Sequence, residues 1–255
     1  MIKSSFEEYK IMFEVEKDLW WYRILHEKIY EALQERFSNH RDVKLLDIGC
    51  GTGGLLDFLR EKGYTNLQGI DYSEAAIHFA QSRDLRVTYL SIDNVAEHFE
   101  GQQFDAIICD DVFYCLETEQ IELAFVSIAS LLKSGGLFLS NNNAFASFYG
   151  THDVAVGGKH RFVLADFKPM IQKSKLSLVQ HSYWSLFLAP LIWAVRFSQR
   201  IQLKCGFLDE SNLTSDVEMP AIWLNNCFYR LVKMEERLIK TGFWGSSLFL
   251  KIKKA

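Results

Sequence analysis

The sequence has only three prolines, no C-x-x-C pair, no internal repeat and no marked excess of one charge sign. Its 28 basic and 32 acidic residues give a net charge of −4, which argues against a nucleic-acid partner. The five cysteines show no zinc or redox spacing, so we expect reduced thiols, no metal site and a cytoplasmic location. No stretch approaches the roughly 20 apolar residues of a transmembrane helix, and the first ten residues lack the pattern of an export signal.

The chain has 255 residues, 49% of them hydrophobic, which is enough for one large domain with a sizeable core. Apolar residues that recur through 18–37 predict an opening amphipathic helix. Five short apolar runs then alternate with helical stretches, the last of which covers 118–136. The runs are KLLDI (44–48), NLQGID (66–71), RVTYLS (86–91), FDAIIC (104–109) and LFLS (137–140). This alternation is typical of a mostly parallel, doubly wound α/β sheet with helices on both faces.

The second part of the chain is organised differently. The pattern predicts a helix over 164–173, a strand over 176–184, a helix over 220–240 and a closing strand over 246–253. Eleven of the fourteen residues in 184–197 are apolar. That window is too short to span a bilayer, so it predicts a buried or interfacial helix.

An acidic or amide residue follows each of the first five predicted strands. In a doubly wound sheet, ligands bind at the carboxyl ends of the strands, so these residues are the candidates for a binding site. They are Asp47, Asp71 with Tyr72, Asp93 with Asn94, Asp110 with Asp111, and 141–143. A cap at the start of the following helix is the alternative role for each aspartate.

A glycine cluster follows the first strand. Gly49, Gly51 and Gly54 satisfy the G-x-G-x-x-G spacing of dinucleotide-binding turns, and Asp71 stands twenty-two residues after Gly49 to bind a ribose. That spacing alone suits a nicotinamide enzyme as well as other nucleotide-binding proteins. Asp47 argues against a nicotinamide enzyme, because a carboxylate beside the pyrophosphate of a dinucleotide is unfavourable. A ligand that carries an ammonium group would be stabilised there.

The segments LLDIGCGTGG, GIDYS, SIDN, FDAIICDDVFYCL and LLKSGGLFLS resemble the successive motifs of class I S-adenosylmethionine-dependent methyltransferases. Their order and spacing cover residues 44–140. LWWYRILHEKI (19–29) and THDVAVGGKHRFV (151–163) resemble segments of one bacterial small-molecule branch of that family. Tyr114 and Cys115 depart from the branch, because many of its members carry Glu-His there.

The resemblance implies a Rossmann-like, doubly wound sheet of seven mostly parallel strands, with the last strand antiparallel. It divides the chain into an N-terminal helical lid (1–40), a methyltransferase core (41–184 and 246–255) and a helical cap inserted between strands six and seven (185–245).

The resemblance also implies S-adenosylmethionine as the cofactor and S-adenosylhomocysteine as the product. It assigns cofactor contacts to Trp21, Arg23, Asp47, Gly49, Cys50, Gly51, Gly53, Asp71, Tyr72, Asp93, Asn94, Cys109, Asp110 and Asp111. The glycine turn lets the backbone approach the methionine portion, and Asp47 meets the amino group. Asp71 accepts from both ribose hydroxyls.

Three further groups of contacts are implied. Asp93 takes the exocyclic amine of adenine, between Asn94 and Tyr72. Cys109, Asp110 and Asp111 line the floor near the sulfonium, although one aspartate of that pair is equally a candidate helix cap. Trp21 and Arg23 belong to the lid, with Arg23 directed at the methionine carboxylate.

His152 and His160 are the candidates for a general base, which is needed if the acceptor is a hydroxyl or a protonated amine. Arg161 would bind an acidic group of the acceptor. The alternatives are solvated loop histidines and an arginine that pairs with a carboxylate of the protein itself.

The predicted helices of 185–245 are unusually apolar, which favours a small, partly apolar acceptor of the natural-product, lipid or sugar type, methylated on oxygen or nitrogen in secondary metabolism. A homodimer interface and an interfacial membrane contact are alternative uses of these helices. Two other functions stay open: an NAD-dependent oxidoreductase, and a non-catalytic protein that binds S-adenosylmethionine.

Overall fold

The computed structural model describes residues 6–208, 213, 215, 217–239 and 241–255. Its centre is one sheet of seven strands in the order β3-β2-β1-β4-β5-β7-β6. The strands are β1 (Leu45–Ile48), β2 (Leu67–Asp71), β3 (Val87–Tyr89), β4 (Phe104–Ile108), β5 (Leu132–Asn143), β6 (Leu176–Trp184) and β7 (Ser247–Lys254).

The strand directions confirm the predicted fold class. β1 pairs in parallel with β2 and β4, and the parallel pairing continues to β3 and β5. β7 is antiparallel to both of its neighbours, β5 and β6. The chain leaves β3 at one edge and returns beside β1 as β4, so the carboxyl ends of β1 and β4 flank the point where ligands bind in such sheets.

Helices cover both faces of the sheet. They are α1 (Phe6–Val15), α2 (Trp20–Phe37), α3 (Gly54–Glu61), α4 (Glu74–Gln81), α5 (Val95–His98), α6 (Thr118–Leu131), α7 (Thr151–Ala155), α8 (Leu164–Lys173), α9 (Ala189–Lys204) and α10 (Ile222–Leu238).

Alternate residues of the central strands feed two separate cores, because successive side chains of a strand point to opposite faces. Ile107 of β4 and Phe138 of β5 pack with α6 and α8. Ala106 and Ile108 of β4 pack with α2 and with Val232 of α10 on the other face.

One helix was missed and one predicted boundary is wrong. The helix predicted over 18–37 is α2, but another helix, α1, precedes it along the chain. The helix predicted over 118–136 ends at Leu131, and the backbone continues as β5. Gly135, at a φ of 74°, directs its carbonyl to the Arg36 guanidinium, and β5 pairs with β4 from Leu132 onward, so pairing with the sheet replaces the last helical turn.

The N-terminal helices contact the helices between β6 and β7. The backbone N–H of Trp20 donates to the Asn225 side chain at 2.8 Å, and the Asn225 amide donates to the Asp18 carbonyl at 2.9 Å. Residues 1–5 of the predicted lid and 209–212 of the predicted cap lie outside the described residues. The domain division at 40, 184 and 246 stays a prediction.

Phe125 of α6 is fully buried among Phe113, Phe138 and Phe167, whereas Leu123 on the same helix is 64% exposed. We expect Phe125→Ala to lower the free energy of unfolding by about 3–5 kcal/mol, because it leaves a cavity in this aromatic cluster. Leu123→Ala should change it by less than about 0.5 kcal/mol. Urea unfolding of the two variants measures the difference, and equal losses would contradict the assigned core.

Candidate active site

A cavity of about 960 Å³ opens at the carboxyl ends of β1, β2 and β4. This is at the upper end of the usual range for ligand sites, about 300–1,000 Å³. Twelve of the seventeen residues singled out from the sequence line it: Trp21, Asp47, Gly49, Cys50, Gly51, Asp71, Tyr72, Asp93, Asp110, Asp111, His152 and Arg161. Arg23, Gly53, Asn94, Cys109 and His160 are not among the lining residues.

The glycine turn between β1 and α3 brings backbone to the cavity wall. Gly49 has a φ of 77°, and a Cβ built on it would lie 2.2 Å from Val112 Cγ2, so neither the conformation nor the space permits a side chain. Gly49 and Gly51 line the cavity. Gly53 instead packs against Leu85, since a Cβ there would lie 2.4 Å from the leucine Cδ1.

Asp71, at the end of β2, connects the turn to the cavity. Its carboxylate accepts from the backbone N–H of Gly51 and of Ser73, both at 2.9 Å. Burial raises the pKa of Asp71, while these backbone donors lower it. The side chain that caps α4 is Ser73, which accepts from Ala76, so Asp71 is not the cap of that helix.

Asp47 is a buried carboxyl of the cavity wall. Burial, together with the nearby carboxylates of Asp71 and Glu16, raises its pKa to about 8. Among the described residues, no donor hydrogen-bonds to the Asp47 side chain. A cationic ligand group would supply the missing charge, so this carboxyl fits an ammonium.

The segment after β3 places Asp93 at the cavity, which Tyr72, the residue after β2, also lines. Asp93 accepts from the Gln120 side-chain amide at 3.2 Å, and Gln120 also lines the cavity. Ser91, which accepts from the Asp93 N–H, begins the short helical turn Ile92–Asn94, so Asp93 is not its cap. Asn94 is exposed and does not line the cavity, contrary to the sequence expectation.

Asp110 and Asp111 form a half-buried acidic pair after β4. Asp110 accepts from the backbone N–H of Asn141 at 2.6 Å and Asp111 from the Asn141 side chain at 3.0 Å. The second oxygen of each carboxyl has no hydrogen-bond partner within the described part of the chain. Burial raises the pKa of Asp111 to about 7.

Neither member of this pair caps a helix: the next helical turn, Phe113–Cys115, has no side-chain cap.

Cys109 is fully buried in the core and does not line the cavity, contrary to the expectation that it lies near the sulfonium. The cause is the alternation of the strand, which points Cys109 away from the site.

Across the side chains that the structure describes, no group of three His, Cys, Asp or Glu residues could hold a metal ion.

Glu16 is a site residue that the sequence analysis missed. This buried carboxylate accepts from the backbone N–H of Gly54 at 3.1 Å and pairs with Arg83 at 2.7 Å. A Cβ at position 54 would lie 2.2 Å from Glu16 Oε2. The chain's own carboxylate therefore occupies the N-terminus of α3, where a dinucleotide would place its pyrophosphate.

The signal for this contact was present in the sequence. Tyr9, Met12 and Glu16 stand three and four residues apart, which puts them on one side of a helix, and all three line the cavity. Because the first predicted helix begins at residue 18, the sequence analysis did not assign these three residues to a helix.

The tryptophan-rich helix α2 also contributes to the wall. Trp21 lines the cavity and stacks on Trp184 with ring centroids 5.8 Å apart. Arg23 does not reach the cavity, because its guanidinium lies 3.9 Å over the ring of Tyr229. Its expected contact with the methionine carboxylate is thus replaced by a cation–π contact with α10.

The segment after β5 places two of the three candidate catalytic residues in the cavity wall, His152 and Arg161. Arg161 pairs with Asp153 through Nε at 2.8 Å and Nη2 at 3.1 Å, so its guanidinium is held by a carboxylate of the protein. His160 lies outside the cavity: its ring packs 5.8 Å from Phe162, and its Nε2 is buried without a partner in the described residues.

Residues 45–136 match the protein family described as Methyltransferase domain. A putative methyltransferase of Geobacillus sp. (strain WCH70) is 31% identical over 132 residues, which cover 47% of this chain and 53% of that protein. The ubiquinone biosynthesis O-methyltransferase of Rickettsia bellii (strain OSU 85-389) is 27% identical over 124 residues, covering 42% of this chain and 51% of that protein.

Among solved structures, the magnesium protoporphyrin IX methyltransferase from Synechocystis PCC 6803 with bound SAM is similar to this chain. The TM-score is 0.54 at 14% identity, over 91% of this chain and 79% of that one, a likeness in fold. The chain spans about half the length of the two curated relatives. Strand order and family match agree: residues 45–136 match the Methyltransferase domain family, and the fold of the chain is similar to that of a solved methyltransferase.

Proposed function

We propose that this protein transfers a methyl group from S-adenosylmethionine to oxygen or nitrogen of a small, partly apolar acceptor. The observation that carries the proposal is the convergence of Asp47, Asp71 and Asp93 with the glycine turn on one cavity. These three carboxyls come from the ends of β1 and β2 and from the turn after β3. They lie at one cavity because the three strands are neighbours in the sheet and run parallel.

The cavity fits the cofactor in charge and in backbone approach. Asp47 would hold the ammonium, because its buried carboxyl has no donor among the described residues. Asp71 keeps lone pairs for the ribose hydroxyls after accepting from Gly51 and Ser73. Asp93 and Tyr72 would hold adenine at the open side.

The bound cofactor would supply a methyl group on a sulfonium. The chain's own task is to align the acceptor and to exclude water, and orientation of this kind contributes roughly 7–11 kcal/mol to such reactions. Trp21 and Tyr22, which both line the cavity, would cover the sulfonium. His152 would accept the acceptor's proton, a role for which His160 is not placed, because it does not line the cavity.

The acceptor side of the cavity is apolar. Leu191, Ile192 and Val195 of α9 and Phe228 of α10 line it, together with Met219. An apolar wall favours an acceptor with a large apolar part. The similarity to the ubiquinone biosynthesis O-methyltransferase of Rickettsia bellii supports a lipophilic acceptor. We further propose a cytoplasmic enzyme of secondary metabolism, with the lid, core and cap divided as the sequence suggests.

Both rival functions differ from this proposal in a measurable way. An NAD-dependent oxidoreductase would need a pyrophosphate at the N-terminus of α3, where Glu16 lies, and beside Asp47. A non-catalytic binding protein would bind the cofactor but methylate nothing.

Incubation of the protein with methyl-labelled S-adenosylmethionine and a panel of hydrophobic hydroxy and amino compounds tests the reaction. Labelled product from an apolar acceptor supports the proposal. Turnover of small polar acceptors alone would remove the lipophilic part of it, and cofactor binding without any product across a broad panel would favour the non-catalytic rival.

Asp71→Asn should weaken S-adenosylhomocysteine binding at least tenfold, since it removes charged hydrogen bonds worth about 1.5–3 kcal/mol each. Calorimetric titration measures the affinity. The control is Asp42→Asn, an exposed carboxylate before β1, which should bind like the wild type. Unchanged affinity in Asp71→Asn would show that the ribose is held elsewhere.

Asp47 makes cofactor binding depend on pH. Its pKa of about 8 means that the free protein carries a protonated carboxyl near pH 7, whereas an ammonium ligand favours the ionised form. Binding should therefore release a proton, and affinity should rise with pH below about 8 by up to about tenfold per pH unit.

Calorimetry in two buffers of different ionisation enthalpy measures this proton release, and Asp47→Asn should abolish it. The same linkage applies to the free protein: because the folded-state pKa is raised, its stability should fall as pH rises from about 4 towards 8. Asp47→Asn should flatten that fall. A proton release that persists in Asp47→Asn would assign the linkage to another group.

A further inference from the structure

Helix α9 turns both apolar and polar residues towards the protein: Ile192 packs against the core beside α2, and Arg196 and Gln199 are half-buried. Of its sixteen residues only Ala189 is buried. Gln199 accepts from the backbone N–H of Thr151 at 3.4 Å. A Cβ on Gly150 would lie 2.5 Å from Arg196 Cδ and 2.6 Å from Gln199 Oε1, so these polar side chains pack directly on the start of α7.

The outward side of α9 is apolar. Trp193, Phe197 and Ile201 recur every four residues, which places them in one stripe along the helix. They are 38%, 46% and 47% exposed. Trp193 and Phe197 stack with ring centroids 5.2 Å apart. An exposed stripe of two stacked aromatic residues and an isoleucine on one helix indicates an apolar partner outside the described chain.

The charge of α9 has one sign. Residues 185–204 contain no Asp or Glu, while Arg200 and Lys204 stand at the end of the apolar stripe. The Arg200 guanidinium lies 5.7 Å from the centre of the Phe197 ring. Aromatic residues beside arginine and lysine, without acidic residues, are typical of helices that lie in the interface of anionic membranes.

The same helix forms a wall of the cavity. Leu191 and Val195 line the cavity, yet they are 55% and 47% exposed. The outward surface of α9 and the acceptor side of the cavity are therefore continuous.

We propose that α9 docks on an anionic phospholipid surface, with its stripe of Trp193, Phe197 and Ile201 in the interfacial layer, and that the acceptor enters the cavity from the lipid past Leu191 and Val195. The entry of the acceptor rests on the proposed function. The docking itself does not.

A second copy of the chain is the alternative occupant of this face. Such a contact would leave Arg200 and Lys204 without a carboxylate from the facing α9, whereas anionic headgroups would pair with both.

In the ranges the structure describes, no helix has the length and apolarity needed to cross a bilayer, so the proposed contact is peripheral.

Sedimentation with vesicles tests the docking. The full-length protein should bind phosphatidylcholine vesicles that contain about one third phosphatidylglycerol at least tenfold more tightly than vesicles of phosphatidylcholine alone. Added salt should weaken this preference, because it screens the headgroup charge.

Two double variants locate the contact. Trp193→Gln with Phe197→Gln should weaken binding to the anionic vesicles at least tenfold. Arg200→Gln with Lys204→Gln should weaken it about 25-fold, since each cation near such a surface accounts for roughly a factor of five.

The matched controls lie on helices that pack against the opposite face of the sheet. Leu123→Gln with Val126→Gln replaces two exposed apolar residues of α6. Lys168→Gln with Lys175→Gln replaces two exposed cations in and after α8. Both controls should bind vesicles like the wild type, and all four variants should keep wild-type affinity for S-adenosylhomocysteine.

Three results would overturn the docking: no binding to anionic vesicles, equal losses in the controls, or a dimer in analytical ultracentrifugation that the Trp193 and Phe197 changes dissociate while vesicle binding is absent. Vesicle binding together with failure to bind S-adenosylhomocysteine would overturn the proposed function and leave the membrane contact standing.

Discussion

The desolvation of several carboxyls around one glycine turn is the constraint on which the rest of the site depends. Asp47 and Asp71 are buried, and Asp110 and Asp111 half-buried, at the ends of three strands, and desolvation raises the pKa of each. At Asp47, whose pKa is raised to about 8, the protonated form predominates near pH 7 when no cation is present. A ligand with a positive charge would convert this cost into affinity, so we propose that the cavity favours an ammonium and a sulfonium over a pyrophosphate.

The N-terminal helices complete this arrangement. Glu16, the residue after α1, accepts from the backbone N–H of Gly54 at the start of α3 and pairs with Arg83. Asp71 accepts from the backbone N–H of Gly51, so carboxylates from two different elements hold the glycine turn. Trp21 closes the wall by stacking on Trp184 at the end of β6. The glycine turn, the N-terminal helices and the far edge of the sheet are thus connected by direct contacts around the cavity.

The alternation of strands and helices and the cavity-lining carboxyls were predictable from local sequence, because these aspartates lie at or just after the ends of short apolar runs. Contacts between residues far apart in the sequence could not be predicted from local patterns. Glu16 meets Gly54 across 38 residues, and Arg23 meets Tyr229 only because α10 folds back on α2. The side of the sheet on which Cys109 lies depends on the alternation of β4 continuing one residue past the strand. The position of His160 outside the cavity depends on how its loop packs on Phe162.

Calorimetric titration of the purified protein with S-adenosylhomocysteine, beside NAD on the same sample, tests the central claim most directly. The account predicts that S-adenosylhomocysteine binds and NAD does not, because Glu16 and Asp47 oppose a pyrophosphate at the glycine turn. Binding of NAD in preference to S-adenosylhomocysteine would contradict the account and make the turn a dinucleotide site.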